Sequence, residues 1–265
     1  MASLRSAVVC FAFDASPPDL PAGLALAPMA GGAGAERLRL ISTDEEASFD
    51  VALAESPGSD RSGVLILPDV RGLYPFYVEL AERFAQAGHP AIAMDYFGRT
   101  ALDEERGEDF AHMPHVERTT VDQIQADALA ARRALVDHTG ERPVYAVGFC
   151  FGGMQAFLAA TNAELDFDGV VGFYGALDGS KRGFPSPPDV VGEMRCPVLG
   201  LFGGADQAIS REQVAAFDQA MDDAGVDHEV VVYPDAPHSF FDRRYEDHAE
   251  ASADAWRRTL RFIED

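Results

Sequence analysis

The stretch VGFCFGG, residues 147–153, ends an apolar run that begins at Val144 and opens a segment with helical patterning. Glycine stands where a backbone turns sharply or passes close to another. A cysteine set between such glycines is either a packed hydrophobe or a thiol held out at a bend. The segments on either side bear on which.

Upstream, residues 63–67 (GVLIL) are continuously apolar, the mark of a strand covered on both faces. Residues 76–87 place Val78, Leu80, Ala81 and Phe84 on one side of a helix, and Gly88 supplies a stop. A strand at 90–94, a polar excursion from 100 to 114 and a helix over 120–137 lead to the quoted stretch. Beyond it, a helix over 152–161 is followed by a strand at 169–173 and a Gly/Pro-rich loop through 189. A strand at 198–202 then passes through Gly203-Gly204 to a helix over 211–223. Last come a strand at 229–233, a loop and an amphipathic helix over 246–263. Near the start, residues 37–43 and 48–54 alternate apolar with polar, predicting a half-exposed antiparallel pair. Strands separated by helix-length segments predict an α/β fold, its mostly parallel central sheet flanked by helices on both faces. That domain is expected to span 36–265, with residues 1–35, rich in Pro, Gly and Ala, as an N-terminal extension.

At 265 residues the chain fits a single α/β domain, and its 47% hydrophobic content suffices for a large core. The formal net charge is −23, and Lys181 is the only lysine among 21 basic residues. Such a surface repels phosphate backbones, so nucleic acid is not an expected partner. No apolar run approaches the roughly 20 residues needed to span a bilayer, and residues 1–13 lack a clear cleavage signal. Cys10, Cys150 and Cys196 form neither a CxxC pair nor a disulfide framework, which fits a reducing compartment. The chain is expected to be cytoplasmic, and its oligomeric state stays open.

In an open parallel sheet, chemistry gathers beyond the carboxyl ends of the strands. Cys150, Asp206 and His238 each follow a predicted strand, in the order nucleophile, acid, histidine. Gly148-Phe149-Cys150-Phe151-Gly152 has the Gly-x-nucleophile-x-Gly form, in which small residues let backbones pass at a strained strand-to-helix turn. A helix starting at the reactive atom favours thiolate and developing oxyanion alike. An imidazole can take and return the proton while a carboxylate fixes its tautomer. Each residue alone has a bland reading: a buried thiol, a loop cap, a hydrogen-bonded loop histidine. Three in order, each just past a strand, point to catalysis.

These residues resemble the dienelactone hydrolase family of α/β-hydrolases. The similarity runs from about Leu38 to the C-terminus and rests on GFCFGG (148–153), GGADQAIS (203–210), PDAPHSFFD (234–242), LPDVRG (67–72) and MDYFGR (94–99). The resemblance implies a cofactor-independent cysteine hydrolase that attacks a small-molecule lactone or ester. In it Cys150 is the nucleophile, His238 base and then acid, and Asp206 the orienting carboxylate. The backbone N–H groups of Phe151 and Val70 would form the oxyanion hole. Asp69 takes the place of the family carboxylate, usually glutamate, that gates the resting thiol. Arg99 aligns with an arginine that binds the substrate carboxylate, and Tyr174 and Ser239 are expected to line the pocket. A second such arginine is expected four residues beyond the histidine, where Asp242 stands instead. An acid there weakens the expectation of an anionic substrate. Two other readings stand beside this one: a carboxylesterase on neutral short esters, and a hydrolase-fold protein that binds a ligand or senses oxidants through Cys150.

His112 and His115 with Glu117 are too thin a basis for a metal site, since Pro114 argues against a helix bringing the imidazoles together. Gly31-Gly32-Ala33-Gly34 follows no convincing strand, so no dinucleotide site is expected.

Overall fold

Eight strands carry the described fold: β1 (Glu36–Ile41), β2 (Ser48–Ala54), β3 (Gly63–Leu67), β4 (Ala91–Met94), β5 (Val144–Phe149), β6 (Gly169–Phe173), β7 (Val198–Gly203) and β8 (His228–Tyr233). The computed structural model describes residues 14–24, 34–101, 106–241 and 246–264. The strands form one sheet in the order β1-β2-β4-β3-β5-β6-β7-β8. β1 pairs antiparallel with β2, and β2 antiparallel with β4; the remaining pairs are all parallel. The expected mostly parallel sheet is present. One detail differs: β2 alternates only at its start, and Val51–Ala54 are buried consecutively. β2 is not at an edge; β4 pairs with its other side, and the helical segments at 75–86 and 121–139 pack against it.

The helices are α1 (Pro75–Gln86), α2 (Met113–Val116), α3 (Val121–Thr139), α4 (Phe151–Ala159), α5 (Arg211–Ala224) and α6 (Ala249–Phe262). Thr120 and Ser210 begin α3 and α5 with capping boxes, each hydroxyl accepting from a backbone N–H and each third-residue glutamine reaching back. α2 was not expected. Pro114 does not bar it, because a proline in a first turn gives up an N–H that the helix would leave unpaired anyway.

Two glycines of β6 show that the sheet is covered on both sides. A Cβ at Gly169 would meet the Phe262 ring of α6, whereas one at Gly172 would meet the Phe157 ring of α4. Residues three apart on a strand point to opposite faces, so α4 and α6 lie on opposite faces. α1 shares the α6 side, with the Phe84 and Trp256 rings edge to face at 5.0 Å. α5 shares the α4 side, with Phe157 and Phe217 5.0 Å apart. Part of the expected extension packs here: the Trp256 indole donates to the Pro18 carbonyl, and Ala15 is buried. Cys10 lies outside the described residues.

Candidate active site

The quoted stretch folds as the last residues of β5, a one-residue bend and the first turn of α4. Cys150 is the bend, at φ 55° and ψ −109°. That conformation is costly for a side chain with a Cβ and persists only where the surroundings enforce it. They do so from both flanks. The Cys150 N–H donates to the Phe173 carbonyl, and the Met154 N–H donates to the Cys150 carbonyl. A Cβ on Gly148 would fall 2.0 Å from the Gly152 carbonyl oxygen, and one on Gly152 would fall 2.0 Å from that of Leu67. The bend is therefore wedged against the end of β3.

The ends of β7 and β8 bring two more side chains to it. Asp206 is almost sealed; its Oδ1 accepts from the Ala208 and Ile209 N–H groups at 2.7 and 3.1 Å. Its Oδ2 accepts from His238 Nδ1 at 2.7 Å. A carboxylate can only accept, so the proton sits on Nδ1 and the opposite ring nitrogen is left for the thiol. His238 also hydrogen-bonds Cys150. Burial alone would lower the imidazole pKa, but the charges and hydrogen bonds of Cys150 and Asp206 outweigh it and raise the value to about 10. Imidazolium is the form of His238 that this arrangement favours.

Asp69, at the exit of β3, is fully buried rather than solvated. Its carboxylate accepts from the Arg71 N–H at 2.9 Å and from the Arg71 guanidinium and the Tyr74 hydroxyl, each at 3.4 Å. Burial pushes its pKa up to about 6; Arg71 pulls the value down, and the nearby Cys150 charge pushes it further up. Folding thus favours the protonated carboxyl. The resulting stabilisation is complete below pH 3.8 and is lost as pH rises through about 6. Asp69→Asn should therefore melt higher relative to the native chain at pH 7.5 than at pH 4, by several degrees. A melting difference that stays flat between those pH values would remove the buried charge from the account.

The sequence and its relatives now decide the family. A profile of the dienelactone hydrolase family matches residues 49–265. The chain belongs to the dienelactone hydrolase family. A Yersinia pestis protein named as a carboxymethylenebutenolidase is 32% identical over 212 residues, 74% of this chain and 75% of that one. An Escherichia coli K12 protein of the same name is 31% identical over 210 residues, 76% and 75% of the two chains. A crystal structure from Klebsiella pneumoniae, named as a dienelactone hydrolase, superposes with a TM-score of 0.73 at 25% identity, covering 86% of this chain and 98% of that one. The fold is the α/β-hydrolase fold, and the protein is a hydrolase of lactone and ester bonds. Among the described residues, no helix is long and apolar enough to cross a membrane.

In this dienelactone hydrolase family member the remaining expected residues fall in varied surroundings. Phe151 is the first residue of α4, so its N–H is one that a helix leaves unpaired. Val70 is buried in the loop after β3, whose last carbonyl abuts the bend. Tyr174 is fully buried at φ 37°, with its ring 4.9 Å from the His238 imidazole. It packs against the histidine. Ser239 stands at φ 60°, its Oγ buried with no hydrogen-bond partner among the described residues.

Arg99 is engaged elsewhere. Its guanidinium donates to Asp127 at 2.6 Å, to Ser42 at 2.8 Å and to Asp44. These contacts tie it to α3 and to the β1–β2 turn. A guanidinium already holding two carboxylates has little left for a third, so the structure lends the expected substrate contact no support. Asp242 lies outside the described residues. His115 stacks on Phe110 at 5.0 Å and lies 5.8 Å from Phe97. Among the described residues, no cluster of three or more His, Cys, Asp or Glu side chains could hold a metal. Sequence reading did not single out Arg71, although it lies inside LPDVRG, two residues beyond Asp69. That spacing beside an acid was the available signal.

Proposed function

We propose that this hydrolase works by acyl transfer through Cys150, with His238 as its proton carrier and Asp206 as the orienting carboxylate. The observation that carries the reading is the 2.7 Å bond from His238 Nδ1 to Asp206, with the thiol hydrogen-bonded to the same imidazole at a strained bend. In the proposed sequence the Cys150 sulfur forms a bond to the carbonyl carbon, and the oxygen gathers negative charge. The Phe151 and Val70 N–H groups receive that charge, which exists only in transit, so fixed donors lower the barrier and not merely the bound state. The C–O bond to the leaving oxygen then breaks, and His238 gives that oxygen its proton. In a lactone the leaving oxygen stays tethered through the acyl chain. Water next attacks the thioester, His238 takes its proton, and the sulfur leaves as thiolate, returning the site to its start.

Asp69, buried beside the sulfur with its pKa near 6, is proposed as the carboxyl that exchanges a proton with the resting thiol. Thiolate nucleophiles suit esters whose leaving groups are good, enol lactones among them; a poorer leaving group returns the thiolate instead. A reducing, cytoplasmic setting fits a chemistry that needs a free thiol.

Trapping tests the reading. Brief incubation with an activated ester at low pH, followed by intact mass and peptide mapping, should place one acyl group on the peptide carrying Cys150. An acyl group on another residue, or turnover that persists while Cys150 is oxidised, would overturn it.

A further inference from the structure

The loop between β3 and α1 carries both Asp69 and Val70. Its own bonds, from the Arg71 and Gly72 N–H groups back to Asp69, close a turn without fixing that turn against the bend. Two consecutive residues at the exit of β4 seize the loop, one at each end. The Tyr96 hydroxyl donates to the Pro68 carbonyl at 2.8 Å, just before Asp69. Asp95 Oδ1 accepts from the Leu73 N–H at 3.0 Å, three residues beyond Val70. Both side chains are buried, so neither bond competes with water. Both also belong to MDYFGR, in which sequence reading picked out only Arg99.

Asp95 is itself held from two more directions. Its Oδ2 accepts from the Phe97 N–H at 2.9 Å. Arg106 spans both carboxylate oxygens, Nε to Oδ1 at 3.1 Å and Nη2 to Oδ2 at 2.7 Å. A bidentate pair of this kind fixes a carboxylate's direction as well as its place. The Arg106 guanidinium in turn lies over the Phe110 ring, 4.6 Å from its centre. Gly72 shows how closely the loop is seated, since a Cβ there would fall 2.3 Å from Asp95 Oδ1. Tyr96 reaches the other side of the site, its ring edge to face with that of Phe151 at 5.4 Å.

Phe151 and Val70 supply the two N–H groups that the proposed mechanism uses. Such donors lower a barrier only when they stand in place before the charge develops, and a displacement of about 0.5 Å weakens them. The Phe151 N–H is set by its own helix. The Val70 N–H depends on how its loop is pinned.

We propose that Asp95 and Tyr96 are positioning residues for the reaction, pinning the loop at Leu73 and Pro68 so that the Val70 N–H stands where the oxyanion forms. Neither touches a reacting atom; both act through the loop. The inference rests on the acyl-transfer reading of Cys150.

Asp95→Asn sets an amide donor against one of the two backbone N–H groups, and Tyr96→Phe removes only a hydroxyl. For p-nitrophenyl butyrate, kcat should fall about tenfold in Asp95→Asn and about threefold in Tyr96→Phe, with KM within about twofold of native. Affinity for trifluoromethyl butyl ketone, whose adduct with the thiolate carries an oxyanion, should fall in step. Alkylation of Cys150 by iodoacetamide should keep its native rate, because the sulfur displaces iodide from a saturated carbon and no oxyanion forms. Asp168→Asn breaks the same kind of bond, to the Val144 N–H at 2.9 Å at the opposite end of the sheet, and should leave all of these quantities unchanged. Alkylation that slows as much as turnover would mean that the whole site has loosened and would overturn the positioning role. Native kcat in Tyr96→Phe or in folded Asp95→Asn would overturn it too; if Asp95→Asn does not fold, Tyr96→Phe decides alone. Native protein that still hydrolyses the ester after complete alkylation of Cys150 would instead overturn the acyl-transfer reading, and this inference with it.

Discussion

Cys150→Ala is expected to lower kcat for ester hydrolysis by about four orders of magnitude or more, with His238→Ala close behind. The magnitude follows from how the groups depend on one another. The imidazole is held by Asp206 at 2.7 Å, and in the proposed mechanism it passes protons to and from groups that react only at a carbonyl the sulfur has attacked. Removing either partner removes the covalent route, and the double variant should lose little more than the worse single one. What remains comes from binding and from the amide donors near Val70 and Phe151. Cys150→Ser is the informative companion. A serine hydroxyl is far less acidic than a thiol, and beside an imidazole adapted to thiolate it should stay slow, though above the alanine variant. The measurement is steady-state hydrolysis of p-nitrophenyl butyrate, with folding verified by circular dichroism. Cys150→Ala protein that retains a tenth or more of native turnover would remove this residue from the mechanism.

The second large effect is on folding. Gly152→Ala is expected to cost about 3 kcal/mol or more, lowering the melting temperature by about 6–12 °C. A methyl group at 152 would sit 2.0 Å from the Leu67 carbonyl oxygen and 2.3 Å from that of Pro68. Neither can yield cheaply, because both belong to the β3 exit that pairs with β5. Gly183 offers the contrast: space is open around it, and its left-handed φ is the whole constraint. Gly183→Ala should therefore cost only about 1 kcal/mol, as backbone strain without a clash. The two variants, melted side by side, separate close approach from conformation. Equal melting temperatures for the two would refute the argument from crowding at the bend.

Much of this was legible in the linear chain. Continuous apolar runs such as GVLIL marked the buried parallel strands, and β3 spans the predicted residues 63–67. Gly-x-Cys-x-Gly marked the bend because its glycines answer a local steric demand, which a short window of sequence records. The ends of β7 and β8 were legible for a similar reason, since chemistry at strand ends follows from topology. Less legible was whatever depends on a partner far away in the chain. Arg99 could be aligned, but its ties to Asp44 and Asp127, 55 and 28 residues away, could not be read from its neighbours. β2 alternates in sequence yet lies inside the sheet, because alternation reports side-chain pattern and not what pairs at the far edge. The short helix α2 hid behind its proline, which is permitted in a first turn and forbidden only deeper in.

Below the bend, Phe149 and Phe173 stack at 4.6 Å, and Phe241 joins them at 4.6 Å from Phe173. This aromatic floor links β5, β6 and the segment after His238, and no polar atom of the proposed chemistry belongs to it. Frame and reactive rim are thus built from different residues. A lineage carrying this scaffold could rewrite the loops beyond the strand ends while inheriting the seat of the bend at Cys150 unaltered.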